Sequence, residues 1–426
     1  MSRVLPLALV LAAGFGSAVA SAQPSYPSMF TRAVAEDPRV RNALAYLDEK
    51  FDDQVAEWIR ITGIPAKSTF EQQRAEYVRA ELAALGLEVS VDAAGNVTAR
   101  RPGTGGGPTV VFAAHMDTVH PMDTDLSVTR RDGRLLAPGI FDNSASVANM
   151  LQAARALDAA KVETRGDVFF VGTVQEELGL EGMDAWLDDH KGVPDMVVAL
   201  DGGLGPVNYG ALGIYWSRMT FTGEGSHTLT SSGKPHPARA AARCIQDIYT
   251  IPLPDPNAPV SAVYNVGMLS GGKVVNAIPQ EVTFTVDLRT VDPELLATLD
   301  AAIETACAAA AKAEGVEFVR EYVQKSEAGG RPEQLADRRA HPLVQTAVDV
   351  LRHLGVDLPE GREALPTGST DSNAAVIRGI PSISVGRAYG GNQHTLSEWA
   401  DRDSAKIGTK QIVLLVASLA ELARGR

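Results

Sequence analysis

Two cysteines in 426 residues exclude the thiolate-rich zinc modules and the disulfide frameworks of small secreted proteins, since both need several closely spaced cysteines. Basic charge is also scarce: 39 Lys+Arg face 52 Asp+Glu, a formal net charge of −13. With no basic stripe and no arginine-rich tail, nucleic acid is excluded as a partner. The apolar run near the N-terminus, residues 4–13, is too short for the roughly 20 residues of a membrane-spanning helix. No G-x-S-x-G elbow occurs, which disfavours a serine hydrolase. What is left is ordinary globular composition, 45% hydrophobic and 21% charged, at a length that suits two or three domains.

The N-terminus reads as a secretory signal over residues 1–22. Arg3 supplies the positive start, residues 4–13 the apolar core, and Ala20-Ser21-Ala22 an A-x-A site before Gln23. Cleavage after Ala22 is expected, and no cysteine follows it, which disfavours a lipoprotein. The mature protein is therefore expected to be periplasmic or secreted and free of the membrane. Cys244 and Cys307 both fall in expected helices. One disulfide and two buried free thiols are both open readings.

The informative stretch is Val110-Val111-Phe112-Ala113-Ala114-His115-Met116-Asp117. An apolar run of strand length stops at a histidine, and an aspartate follows two residues later. Strands that end polar carry chemistry at the carboxyl edge of α/β sheets. The pattern then repeats. Asp142 sits where a helix is expected to begin near Ser144; an Asp there is also a common helix cap. The apolar run 168–172 leads into Gln175-Glu176-Glu177, and the run 197–200 ends in Asp201-Gly202. A late loop, Gly390-Gly391-Asn392-Gln393-His394-Thr395, supplies a second histidine. Adjacent carboxylates behind an apolar strand are costly unless a cation neutralises them. The two histidines with three carboxylates suffice for two divalent metals sharing one bridging carboxylate.

With those segments in order, the sequence resembles the di-zinc metallopeptidase family of peptidase T, glutamate carboxypeptidase and aminoacylase, over essentially the whole mature chain. The resemblance implies an α/β catalytic domain, a mixed sheet with helices on both faces, plus an inserted α+β lid that also serves dimerisation. It implies two zinc ions per chain, with cobalt or manganese as alternatives. His115 and Asp201 would bind one and Glu177 and His394 the other, with Asp142 as the bridge. Glu176 would be the general base that moves the proton of the attacking water, and Asp117 would orient His115. The implied substrate is a small peptide or, alternatively, an N-acyl amino acid. A binding protein that keeps the fold without activity is disfavoured, because every ligand and the base are present.

The chain divides accordingly: residues 27–211 as the first catalytic part, 212–324 as the lid, 325–426 as the second catalytic part. Within the lid, alternating apolar residues give strands and an alanine-rich helix spans 293–314. His227, in Gly225-Ser226-His227, resembles the lid histidine that reaches a partner subunit's site, with His236 as a competitor. Asn276 and Arg289 resemble residues that hold a substrate carboxylate; for Arg289 a strand-edge ion pair to Asp287 or Asp292 is the alternative. Gly368, Ser369 and Thr370 resemble a substrate-side loop, and the adjacent Asp371 could equally be a helix cap.

Overall fold

The computed structural model describes residues 27–256, 258 and 260–424. The expected leader, residues 1–22, lies outside them.

Four parallel strands build the centre of the main sheet. Val168–Thr173 pairs with Val110–His115, which pairs with Met196–Leu200, which pairs with Ser382–Val385. Val97–Arg101 and Glu88–Val91 extend one side antiparallel. Val207–Asn208 and Ala364–Leu365 close the other. The central strands are buried on both faces, as parallel strands covered by helices must be. Side chains alternate between two layers. Val110, Phe112 and Ala114 pack with the helix Ser144–Ala159, while Val111 and Ala113 pack with Met183, Trp186 and Ala374. Each large apolar group so buried contributes about 1.5–3 kcal/mol. Because the four strands run in one direction, His115 and the residues after Thr173, Leu200 and Val385 emerge at one edge.

The stretch 69–85, whose Phe70, Tyr77, Ala80, Leu82 and Leu85 fall at helical spacing in the sequence, is helical over Gln72–Ala83. Phe70 lies before it and is 52% exposed, and the buried face carries Ala75 and Val78 beside the expected Leu82. The helices Glu181–Asp189 and Pro332–Ala340 were not anticipated.

A second sheet is built from Ala262–Gly271, Glu281–Thr290, Gly213–Thr222 and Glu317–Ser326, in that order and all antiparallel. Val282, Phe284, Val286 and Leu288 alternate inward against the helices Pro237–Ile248 and Pro293–Glu314. Cys244 and Cys307, one on each helix and both fully buried, are joined in a disulfide with their Cα atoms 4.7 Å apart. A cross-link closing a loop of this length stabilises a fold by about 2–4 kcal/mol. Among the described residues no helix is long and apolar enough to cross a membrane.

Candidate metal centre

Five of the expected ligands meet at the sheet edge. His115 ends its strand 2% exposed, with Nδ1 3.2 Å from the Asp117 carbonyl and 3.3 Å from Asp117 Oδ1. An N–H donated from Nδ1 leaves Nε2 as the free lone pair. Nε2 lies 3.2 Å from Asp142 Oδ1, 3.7 Å from Asp201 Oδ2 and 4.0 Å from Glu176 Oε2. The other oxygen of Asp142, Oδ2, is 3.5 Å from His394 Nε2, which is 3.1 Å from Glu177 Oε1. Asp142 thus turns one oxygen to each histidine, and each histidine has a further carboxylate beside it.

Local backbone produces this arrangement. Gln175 is left-handed (φ 54°) and leads into the 3-10 turn Glu176–Leu178, so the two glutamates diverge. Asp117 fixes that turn, since Oδ1 accepts the Glu176 N–H at 3.1 Å and Oδ2 the Glu177 N–H at 3.1 Å and the Ser68 hydroxyl at 2.7 Å. One aspartate therefore sets both the histidine and the glutamate pair. His394 is also left-handed (φ 63°), a conformation that costs energy and concentrates at functional sites. Asp142 does not cap the following helix; Asn143 holds the cap position. The peptide bond between Asp142 and Asn143 is cis.

The electrostatics are those of crowded acids. Burial, together with Asp201, Glu177 and Asp371, outweighs His115 and pushes the Glu176 carboxyl well above the usual range. Burial works against a charged His115, but Glu176, Asp117, Asp142 and Asp201 outweigh it and carry the ring well above its ordinary value. Hydrogen bonds to Asp142 and Glu177 push His394 up to about 10.

The donor set fits divalent cations. Ligand-capable atoms of His115, Glu176 and Asp201, and again of His115, Asp142 and Glu177, lie within 4.8 Å of one another. Glu177 Oε1 is buried and has no aligned hydrogen-bond donor. Nitrogen and carboxylate oxygen together suit zinc and the other divalent transition metals. The first group contains Glu176, so geometry alone leaves it within reach of a metal.

The remaining expected residues divide. His227 is exposed, and its Nδ1 accepts the Leu229 N–H at 3.2 Å. Its Nε2 is 3.4 Å from Asn276 Nδ2, on the short pairing of Ser226–His227 with Ala277–Ile278. These two thus come together, and among the described residues neither bonds to a metal ligand of its own chain. His236 caps the helix Pro237–Ile248. Arg289 is paired to Asp287 at 2.9 Å, the strand-edge alternative. The Gly368 carbonyl accepts the Leu212 N–H at 2.8 Å, and Ser369 beside it is half-buried. Thr370 is 7% exposed, with its hydroxyl 2.9 Å from both Ser372 and Ser384 Oγ, so it holds the loop from inside. Asp371 makes no helix cap through its side chain; it accepts the Thr173 hydroxyl.

Two residues escaped sequence reasoning. Glu398 is fully buried and accepts the N–H groups of Gly139, Phe141 and Asp142 at 3.0, 2.8 and 2.7 Å, holding the segment that presents Asp142. Its only sequence signal is a carboxylate four residues after His394. Arg387, 2% exposed, contacts Asp142 and Asp201.

Fold and site define the class: an α/β protein with a histidine–carboxylate metal constellation at the carboxyl edge of its sheet. The chain belongs to peptidase family M20/M25/M40, whose model matches residues 111–418. It is 27% identical over 206 residues to an N-carbamoyl-L-amino-acid amidohydrolase of a Pseudomonas species. That match spans 47% of this chain and only 46% of the relative, about half its length. In fold it is similar to aminopeptidase PepT from Bacillus cereus, with TM-score 0.69, 21% identity, and coverage of 87% of this chain and 99% of that one. It is likewise similar to human carnosine dipeptidase 1, with TM-score 0.67, 14% identity, and coverage of 90% and 100%.

Proposed function

We propose that this protein hydrolyses a peptide or amide bond of a small peptide with two divalent metals, zinc foremost, cobalt or manganese as alternatives. The observation that carries the reading is Asp142, whose two oxygens face His115 and His394 separately. His115 and Asp201 would hold one metal, Glu177 and His394 the other, and Asp142 both. When bound, the metals supply Lewis-acid polarisation of the scissile carbonyl and a water of lowered pKa. Glu176 would take the proton of the attacking water and return it to the leaving nitrogen, and its buried setting favours a group that can carry the proton between. Asp117 keeps His115 Nε2 and the Glu176–Glu177 turn in place through the bonds described above.

The relative named an N-carbamoyl-L-amino-acid amidohydrolase supports a second reading, an N-acyl amino acid as substrate on the same centre. We further propose a homodimer through the inserted domain, with His227 serving the partner's site, and a periplasmic or secreted location. The Cys244–Cys307 disulfide suits such an oxidising compartment.

The test is elemental analysis together with a panel of di- and tripeptides and N-acyl and N-carbamoyl amino acids, assayed before and after chelation. About two metals per chain and chelator-sensitive cleavage are expected, with the best substrates choosing between the two readings. Neither metal nor cleavage after zinc is restored would leave a binding protein that keeps the fold.

A further inference from the structure

One cation already stands inside the acidic cluster, and it belongs to the chain. Arg387 follows the Ser382–Val385 strand and lies over the Phe141 ring, 4.2 Å from its centroid. Its Nη1 donates to Asn143 Oδ1 at 3.0 Å and to Asp201 Oδ1, and its Nη2 is 3.2 Å from Asp142 Oδ1. The Gly202 N–H donates to the same Asp201 Oδ1, at 2.6 Å. Two donors thus occupy one oxygen of Asp201, and Oδ2 alone is left toward His115.

The cluster is lopsided as a result. Asp142 Oδ1 is shared between Arg387 and His115, whereas Asp142 Oδ2 and Glu177 Oε1 face His394 with no arginine paired to them among the described residues. A guanidinium does not shed its proton, so its charge is permanent. Charges a few ångströms apart in a buried site interact strongly. A divalent ion bound by His115, Asp142 and Asp201 would meet that charge; one bound by His394 and Glu177 would meet it at longer range. In the metal-free chain the same charge offsets the crowded carboxylates.

We propose that Arg387 is a positioning residue that makes the two metal positions unequal. It presents Asp201 through a single oxygen, and its fixed charge makes the His115–Asp142–Asp201 position the weaker and more exchangeable. The inference rests on the two-metal reading above. It has a consequence that a merely structural arginine lacks: removing the charge destabilises the metal-free protein yet tightens metal binding at the weaker position.

The experiment strips the full-length mature protein by chelation and titrates it with Co2+, following visible absorption and calorimetry, and separately melts the stripped protein. Wild type, R387M, R387Q and R387K are compared. R387Q keeps a donor for Asp201 without the charge, and R387K keeps the charge without the planar fork. The wild type should bind Co2+ in two steps whose affinities differ on the order of tenfold to a hundredfold. R387M and R387Q should tighten the weaker step about tenfold while the stripped protein melts lower. R387K should retain the gap between steps; should R387M not fold, R387Q and R387K decide the matter. Two equal steps in the wild type, or a weaker step that loosens or stays put in R387Q, would overturn the inference alone. A wild type that binds no Co2+ would overturn the two-metal reading and this inference with it.

Discussion

Glu176 and Glu177 are adjacent, yet the left-handed Gln175 and the 3-10 turn after it send their carboxylates to different partners. Glu177 Oε1 faces His394 Nε2 at 3.1 Å, whereas Glu176 reaches no closer than 4.0 Å to His115. A base needs freedom to give and take a proton, and a ligand has spent its lone pair. Glu176→Gln should therefore leave metal content unchanged while turnover falls about a hundredfold to ten-thousandfold. Retained activity would remove the base assignment, and lost metal would make Glu176 a ligand. Asp371 poses a different residue-scale problem. It is 2% exposed, and its Oδ1 is buried with no hydrogen-bond partner. Burial, with Asp117 and Asp201 against Thr173 and His115, pushes its carboxyl up to about 7. A folded value raised above the unfolded one gives stability that is complete below about pH 4 and lost as pH rises through about 7. In chelated protein, Asp371→Asn should remove this slope, so wild type loses stability relative to the variant over that window. Denaturant melts across the window would show it; parallel curves would mean that Asp371 is already charged in the fold throughout that window.

At the scale of elements, the centre depends on how loops are held behind the strands. Glu398 gathers three N–H groups from the segment Gly139 to Asp142, and Trp58 Nε1 donates to the Ile140 carbonyl at 2.6 Å from the other side. Each buried N–H left without an acceptor costs about 1–3 kcal/mol. Glu398→Ala should lower the melting temperature and, because Asp142 faces both histidines, reduce both metals together. Loss of one metal alone, measured by elemental analysis, would argue against a bridging Asp142. The same elements show what the sequence could and could not tell. His115, Glu176, Glu177 and Asp201 were legible because apolar strands announce their own ends, and the inserted sheet because Val282, Phe284 and Val286 alternate. Glu398 and Arg387 were not, since their partners lie between 186 and 259 positions away in the chain and no local pattern marks them. Phe70 shows the opposite case: its spacing fits the helical stripe, yet the chain places it before the helix.

For the whole molecule, the open relation is between the inserted domain and the metal centre. His227 and Asn276 meet each other on the short pairing of Ser226–His227 with Ala277–Ile278, and both are exposed. The His227 ring bonds to Leu229 and Asn276, and among the described residues it contacts none of its own chain's ligands. The separate four-stranded sheet leaves two free edges, Ala262–Gly271 with Val263, Met268 and Leu269 exposed, and Glu317–Ser326 with Val319, Tyr322 and Val323 exposed. Exposed edges bearing apolar side chains are open to pairing with another chain, and two-fold dimers are the commonest homo-oligomers. If the partner supplies the histidine, His227→Ala and Glu176→Gln fail for separable reasons. The first chain keeps a whole centre and lacks a histidine to lend; the second lends its histidine and lacks a base. Mixed after dissociation and reassociated, they should regain about a quarter of the wild-type rate, since half the dimers are mixed and each has one complete site. Each variant alone should stay near zero, and metal content in His227→Ala should be unchanged. No recovery from a mixture that sedimentation shows to contain mixed dimers would confine His227 to its own chain, with capping the Thr228–Thr230 turn as its whole role.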